Sequence, residues 1–144
     1  MEETDITIQH GDCFKLLAAC FYEPDKQLFL REELCEKLEM LLQGLSSEGE
    51  KAARKMQSCL KELDQEELSI DHATLFIGPF ELTAAPYGSV YIEKKRTVMA
   101  ESTIHVARYY QQAGLSVDVK EVPDHIAIEL EFLYYLCIKE AAAA

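Results

Sequence analysis

The sharpest chemical grouping in this 144-residue sequence is Pro123-Asp124-His125, with Glu129 four residues beyond His125. A carboxylate, an imidazole and a second carboxylate near one helical turn offer three kinds of chemistry: a proton relay, a pair of metal ligands, or an acceptor set for a cationic guest. The same spacing also serves plain structure. Asp124 is a good helix N-cap and suits the positive end of the macrodipole, while His125 and Glu129 share a face and can hydrogen-bond each other. A metal site needs three or four protein ligands, and His10, His72 and His105 show no matching spacing. The five cysteines (Cys13, Cys20, Cys35, Cys59 and Cys137) form no C-x-x-C pair, and no glycine run makes a G-x-x-x-x-G-K phosphate loop. No enzyme, metal or cofactor is expected.

A second grouping lies upstream. Ile77-Gly78-Pro79-Phe80 and Thr83-Ala84-Ala85-Pro86-Tyr87-Gly88 hold two of the four prolines and two of the six glycines. Proline fixes φ and removes a donor, so residues 77–90 read as an ordered loop and not a helix. A rigid loop that presents Tyr87 beside Pro86 is what a binding surface uses. Leu75 and Phe76 close the preceding helical run, where core residues are commoner than site residues. Phe76, Phe80 and Tyr87 can line an apolar groove, with Asp118, Glu121, Asp124 and Glu129 supplying acid beside it.

Helices must position both groupings. Phe14, Leu17, Ala18 and Phe21 follow i, i+3, i+4, i+7 spacing, and Pro24 closes that segment. Leu30, Leu34, Leu38, Leu41, Leu42 and Leu45 form a second stripe ending near Gly44. Ser47 with Glu50 reads as a capping box opening a helix that carries Ala53, Met56, Leu60 and Leu63. A shorter helix spans about 66–76, and helix resumes near Thr97 and stops at Gly114, a left-handed C-cap. Residues 115–123 alternate but have no partner strand, so they read as an extended hinge that includes Glu121 and Pro123. The last helix starts at Pro123-Asp124, and its run from Ile126 to Ile138 is apolar on nearly every face, as in a central, buried helix. It dissolves into Ala141–Ala144, which reads as the truncation of a longer natural chain. An uncovered central helix invites a homodimer or a segment swap.

Composition narrows the class. Hydrophobic residues make up 49% and charged residues 28%, ordinary for a folded domain. The net charge of −12 repels nucleic acid and anionic lipid and attracts cationic partners. No basic start followed by an apolar run marks a secretory signal, and no apolar run is long enough to insert directly into a membrane. Odd, scattered cysteines then point to a reducing cytoplasm.

Two stretches carry a family likeness. The first is Leu75-Phe76-Ile77-Gly78-Pro79, continuing to Ala85-Pro86-Tyr87-Gly88-Ser89-Val90-Tyr91; the second is Glu121-Val122-Pro123-Asp124-His125-Ile126-Ala127-Ile128-Glu129-Leu130-Glu131-Phe132. Together, and with Tyr109-Tyr110 and Ala113-Gly114-Leu115, they resemble the TorD/DmsD/NarJ family of redox-enzyme maturation chaperones from about Cys13 to Cys137. The sequence departs from that pattern at His72, where an aromatic Tyr or Trp is usual, and at Gly88, where an acidic residue is common.

The resemblance implies an all-α, single-domain helical bundle of the TorD-like type, without its C-terminal helices. It divides into an N-terminal helical part (1–114), a hinge (115–123) and the start of a C-terminal helical part (124–144). It also implies a cytoplasmic chaperone that binds the twin-arginine signal peptide of a molybdenum-containing oxidoreductase subunit and assists its maturation and export control. The peptide-binding residues it implies are Leu75, Phe76, Pro86, Tyr87, Asp124 and His125, to which Glu129 is added from the spacing. The alternative is a helical adaptor or oligomerisation module that binds a folded partner, including a NarJ-type assembly factor for a subunit that is not exported.

Overall fold

The computed structural model describes residues 3–79, 83–94, 99–118 and 120–144. Phe80 as a groove residue, the helix start at Thr97 and the alternation at Val119 lie outside them. The described residues form eight helices and no strand: α1 (Glu3–Phe21), α2 (Lys26–Arg31), α3 (Leu34–Leu42), α4 (Ser47–Glu62), α5 (Gln65–Phe76), α6 (Gly88–Ile92), α7 (Glu101–Gln112) and α8 (Ile126–Ala143). The architecture is all-α, as the periodicity predicts. No helix among them is long and apolar enough to cross a membrane.

Two packings organise the helices. α1 lies along α8 through small residues, with Gly11, Ala18 and Ala127 all buried. A Cβ at Gly11 would stand 2.9 Å from the Cβ of Cys137, so the closeness of the two helices requires glycine there. The second packing joins α3 to α4. Leu34, Cys35 and Leu60 are buried there, with Leu16, Phe29 and Leu68 packed against them from α1, α2 and α5. Leu38 on α3 is 2% exposed, and sealing such a side chain from water stabilises the fold by about 1.5–3 kcal/mol.

Several local readings are corrected. The leucine stripe after Leu30 is two helices, not one, because Glu33 adopts a left-handed φ of 53° between α2 and α3. The α4 cap is Ser46, not Ser47: its Oγ accepts from the Gly49 amide at 3.0 Å. The loop expected over 77–90 gives way at Gly88 to the short α6. α7 ends as expected, with Gly114 at φ 75° and the Leu115 amide donating to the Tyr110 carbonyl at 2.8 Å. α8 starts at Ile126, not at Pro123-Asp124, and its cap is His125. Nor is α8 buried on all sides. Leu133, Leu136 and Ile138 are each about 40% exposed, because α1 covers one flank of the helix.

Candidate functional site

The Pro86–Gly88 segment lies directly against the start of α8. Tyr87 and His125 form an isolated antiparallel bridge. The Ile126 amide donates to the Pro86 carbonyl at 2.8 Å, and the Gly88 amide donates to the Asp124 carbonyl at 3.1 Å. Local sequence prepares this pairing. Pro86 and Pro123 each bias the residue before them towards extended backbone, so two short extended segments meet without needing a sheet.

Asp124 is 2% exposed and its Oδ2 accepts from the Ser89 amide at 2.8 Å. It therefore caps α6, 35 residues upstream, and not the helix that follows it. Its second oxygen, Oδ1, and the hydroxyl of the fully buried Ser89 have no hydrogen-bond partner among the described residues. A buried polar group left so costs about 1–3 kcal/mol, which marks a position where another group can donate.

His125, also buried, does not pair with Glu129. Its Nδ1 accepts from the Ala127 amide at 3.1 Å, capping α8. The ring stacks on Tyr22 (centroids 6.2 Å apart, planes 7° apart) and meets Tyr87 edge-on at 5.4 Å. Burial lowers its pKa, outweighing the pull of Glu121 and Asp124, so the imidazole is neutral at pH 7 with its proton on Nε2. Around it, the Tyr87 hydroxyl donates to Glu121 at 3.3 Å and the Tyr110 hydroxyl to the Pro123 carbonyl at 2.8 Å. Burial raises the pKa of both phenols, and it pushes Tyr22 up to about 12 with help from Glu131.

Beside this junction, α6, α7 and the start of α8 enclose an open cleft of about 780 Å³. Ser89, Asp124 and Glu129 line one side of it, with Val106 and Tyr109 of α7 on another. Burial first, and then the neighbouring Asp124, raises the pKa of Glu129.

Of the residues singled out in the sequence, Pro86, Tyr87, Glu121, Pro123, Asp124 and His125 come together at the junction, and Glu129 lines the adjoining cleft. Leu75 and Phe76 do not join them. They line a separate apolar pocket of about 210 Å³ with Cys20, Leu60 and His72. His72 Nε2 lies 3.1 Å from the Phe21 carbonyl, and the Phe76 ring packs 5.6 Å from Phe21. The two places are linked through the end of α1, where Phe21 faces Phe76 and Tyr22 faces His125. Ser89, Tyr110 and Tyr22 were not singled out as site residues. Ser89 and Tyr110 stand inside quoted motif stretches, but nothing local signals that Tyr22 meets the junction.

The arrangement suits binding better than a relay. Asp124 Oδ2 and His125 Nδ1 each accept from a backbone amide, and no hydrogen bond joins the two side chains among the described residues. Burial raises the pKa of Cys13, Cys20 (to about 11), Cys35 and Cys137, the opposite of nucleophile activation. Among the described residues no three or more His, Cys, Asp or Glu side chains assemble in a way that would hold a metal ion.

Comparison with known proteins agrees with the fold and the motifs. A family model described as nitrate reductase delta subunit matches residues 42–144. The chaperone protein TorD of Aliivibrio salmonicida is 34% identical over 76 residues, which cover 51% of this chain and 35% of that protein. The Haemophilus influenzae protein named "Probable Tat proofreading chaperone DmsD" is 28% identical over 88 residues, 60% of this chain and 43% of its own. The chain thus spans less than half the length of these curated relatives. A solved structure described as a redox enzyme maturation protein of Archaeoglobus fulgidus superposes with a TM-score of 0.62 at 29% identity, over 88% of this chain and 70% of that one.

Proposed function

The chain belongs to the nitrate reductase delta subunit family, and from that premise we propose that it is a cytoplasmic chaperone that holds the N-terminal twin-arginine signal segment of a molybdenum-containing oxidoreductase subunit during maturation. It binds its client and does no chemistry on it. The observation that carries this reading is the junction itself, where the two family motifs pair backbone to backbone around a buried carboxylate whose Oδ1 has no partner. Pro86, Tyr87, Asp124, His125 and Glu129 form the polar end of the client site, and Leu75 and Phe76 line a separate apolar pocket.

The physics of such a client matches. A twin-arginine signal joins guanidinium groups to an apolar helix, so its receptor needs carboxylates at one end and an oily groove at the other. The net charge of −12 speeds encounter with a basic peptide. The relatives named for TorD and for Tat proofreading support the same assignment.

The test is a titration of a labelled twin-arginine peptide against the same peptide with both arginines replaced by lysine. Lysine keeps the charge but lacks the planar fork, so affinity should fall about tenfold or more. Equal binding of the two peptides, or of neither, overturns an arginine-reading site. The family's description as a nitrate reductase subunit favours one second reading, in which the client is the N-terminus of a subunit that is not exported. Preference for an amphipathic segment without paired arginines would select it.

A further inference from the structure

We propose that the open cleft between α6 and α7 is the docking wall for the apolar part of the client segment, with Ile92, Val106 and Tyr109 as its contact residues and the Asp124–Ser89–Glu129 side receiving a cationic head. The inference rests on the peptide-chaperone reading and deepens it, since it places the oily half of the site in this cleft and not in the Leu75–Phe76 pocket.

Charge comes first. The cleft carries four carboxylates, those of Glu93, Glu101, Asp124 and Glu129, and no lysine or arginine among its described lining residues. Glu93 is partly committed, because its Oε1 accepts from the amide and hydroxyl of Ser102, both at 2.8 Å, tying α6 to α7. Glu129 takes part in none of the ion pairs among the described residues, which involve Arg31 and Arg54 elsewhere. An acidic cluster alone would say little. Here the cleft also holds two nearly inaccessible side chains, Asp124 at 2% and Ser89 at 0% exposure, each with a polar atom that has no partner. A guanidinium supplies donors to both at once, since it offers a planar fork of N–H groups and needs only acceptors.

The apolar side is largely open to solvent. Ile92 is 71% exposed and Tyr109 is 52% exposed, on the two helices that flank the cleft. The Tyr109 ring is braced edge-on by His105 at 5.3 Å, so it is held as a wall. α6 and α7 are fixed to one another by Glu93 and Ser102, which sets the width of the groove before any guest arrives. The occupant with matching chemistry is a peptide in which a guanidinium is followed by bulky apolar side chains.

The test uses the full chain, a labelled peptide with two arginines ahead of a leucine-rich run, and a second peptide whose leucines are serines. Ile92→Ser and Tyr109→Ser replace exposed side chains, and circular dichroism will check that each variant folds. Each should weaken the leucine peptide about tenfold and leave the serine peptide within about twofold of wild type. If both variants bind the leucine peptide like wild type while Leu75→Ser loses it, the docking wall is the other pocket, and the proposal falls while the chaperone reading stands. If wild type binds neither peptide, both fall together.

Discussion

The α3–α4 layer and the junction at the start of α8 are built on opposite principles. The first is closed by Leu34, Cys35, Leu38, Ala53 and Leu60, side chains with little to satisfy but volume. The second holds three of the buried polar residues of the described chain, Ser89, Asp124 and His125. Apolar packing tolerates repacking and gives stability without much directional demand. Buried polar groups contribute less net stability, but each must meet its partner at one distance and angle. The contrast teaches that this molecule is made stable in one place and specific in another.

The largest effect should come from the stable region. Leu38→Ala should cost about 2–5 kcal/mol in chemical denaturation, because a nearly inaccessible leucine leaves a cavity, yet peptide selectivity should not change. A selectivity change there would mean that the two regions are not separable. Next, Asp124→Ala should cost about 1–3 kcal/mol by leaving the buried Ser89 amide without an acceptor. Asp124→Asn sharpens the point, since its amide oxygen can still accept from Ser89 while a donor replaces the unpartnered acceptor. Peptide affinity should then fall more than stability does; a melting temperature that drops while affinity holds would make the residue purely structural. Smaller again, Asp64→Ala removes the cap of α5, where Oδ1 accepts from the Glu67 amide at 2.9 Å, and should cost about 1 kcal/mol with no effect on binding.

The smallest expected effect is a slope. His125 has a folded pKa below its ordinary 6.5 because it is buried. Its contribution is therefore present above pH 6.5 and is lost as pH falls towards the folded value, since the unfolded chain takes up the proton first. Glu129 runs the other way. Its raised pKa favours the folded state below the ordinary carboxylate range and withdraws that support as pH rises. His125→Asn keeps an N-cap but cannot titrate, so denaturation at pH 7.5 and pH 5.5 should differ less in the variant than in wild type. An unchanged difference would place the pH sensitivity elsewhere.

What the sequence discloses follows from distance along the chain. The end of α1, α4, α5 and the end of α7 are written in spacing and caps that act within one or two turns, and they are readable to a residue or so, whereas the first eleven residues of α1 carry no stripe that the spacing rule picks out. The break at Glu33 is not, because a left-handed glutamate carries no compositional mark. Asp124 is legible as a capping residue but not as the cap of α6, since the amide it meets belongs to Ser89. The motif stretches announce Tyr87 and His125, whereas the flanking ring of Tyr22 arrives from α1 and no spacing rule reaches it. Leu75 and Phe76 adjoin the loop in sequence but end α5 in a pocket of their own.

The cap that Asp124 lends to α6 has a consequence for the order of assembly. A five-residue helix cannot nucleate alone, and the carboxylate that holds its first turn is synthesised 35 residues later. The pairing at Tyr87 and His125 likewise closes a long loop, a step that is entropically slow compared with helix growth. As the chain emerges from the ribosome, α1 to α5 have their local signals in hand, while the junction has none until the start of α8 has been made and has docked. A nascent chain therefore gains the proposed client site only after the start of α8 has docked against the Pro86–Gly88 segment.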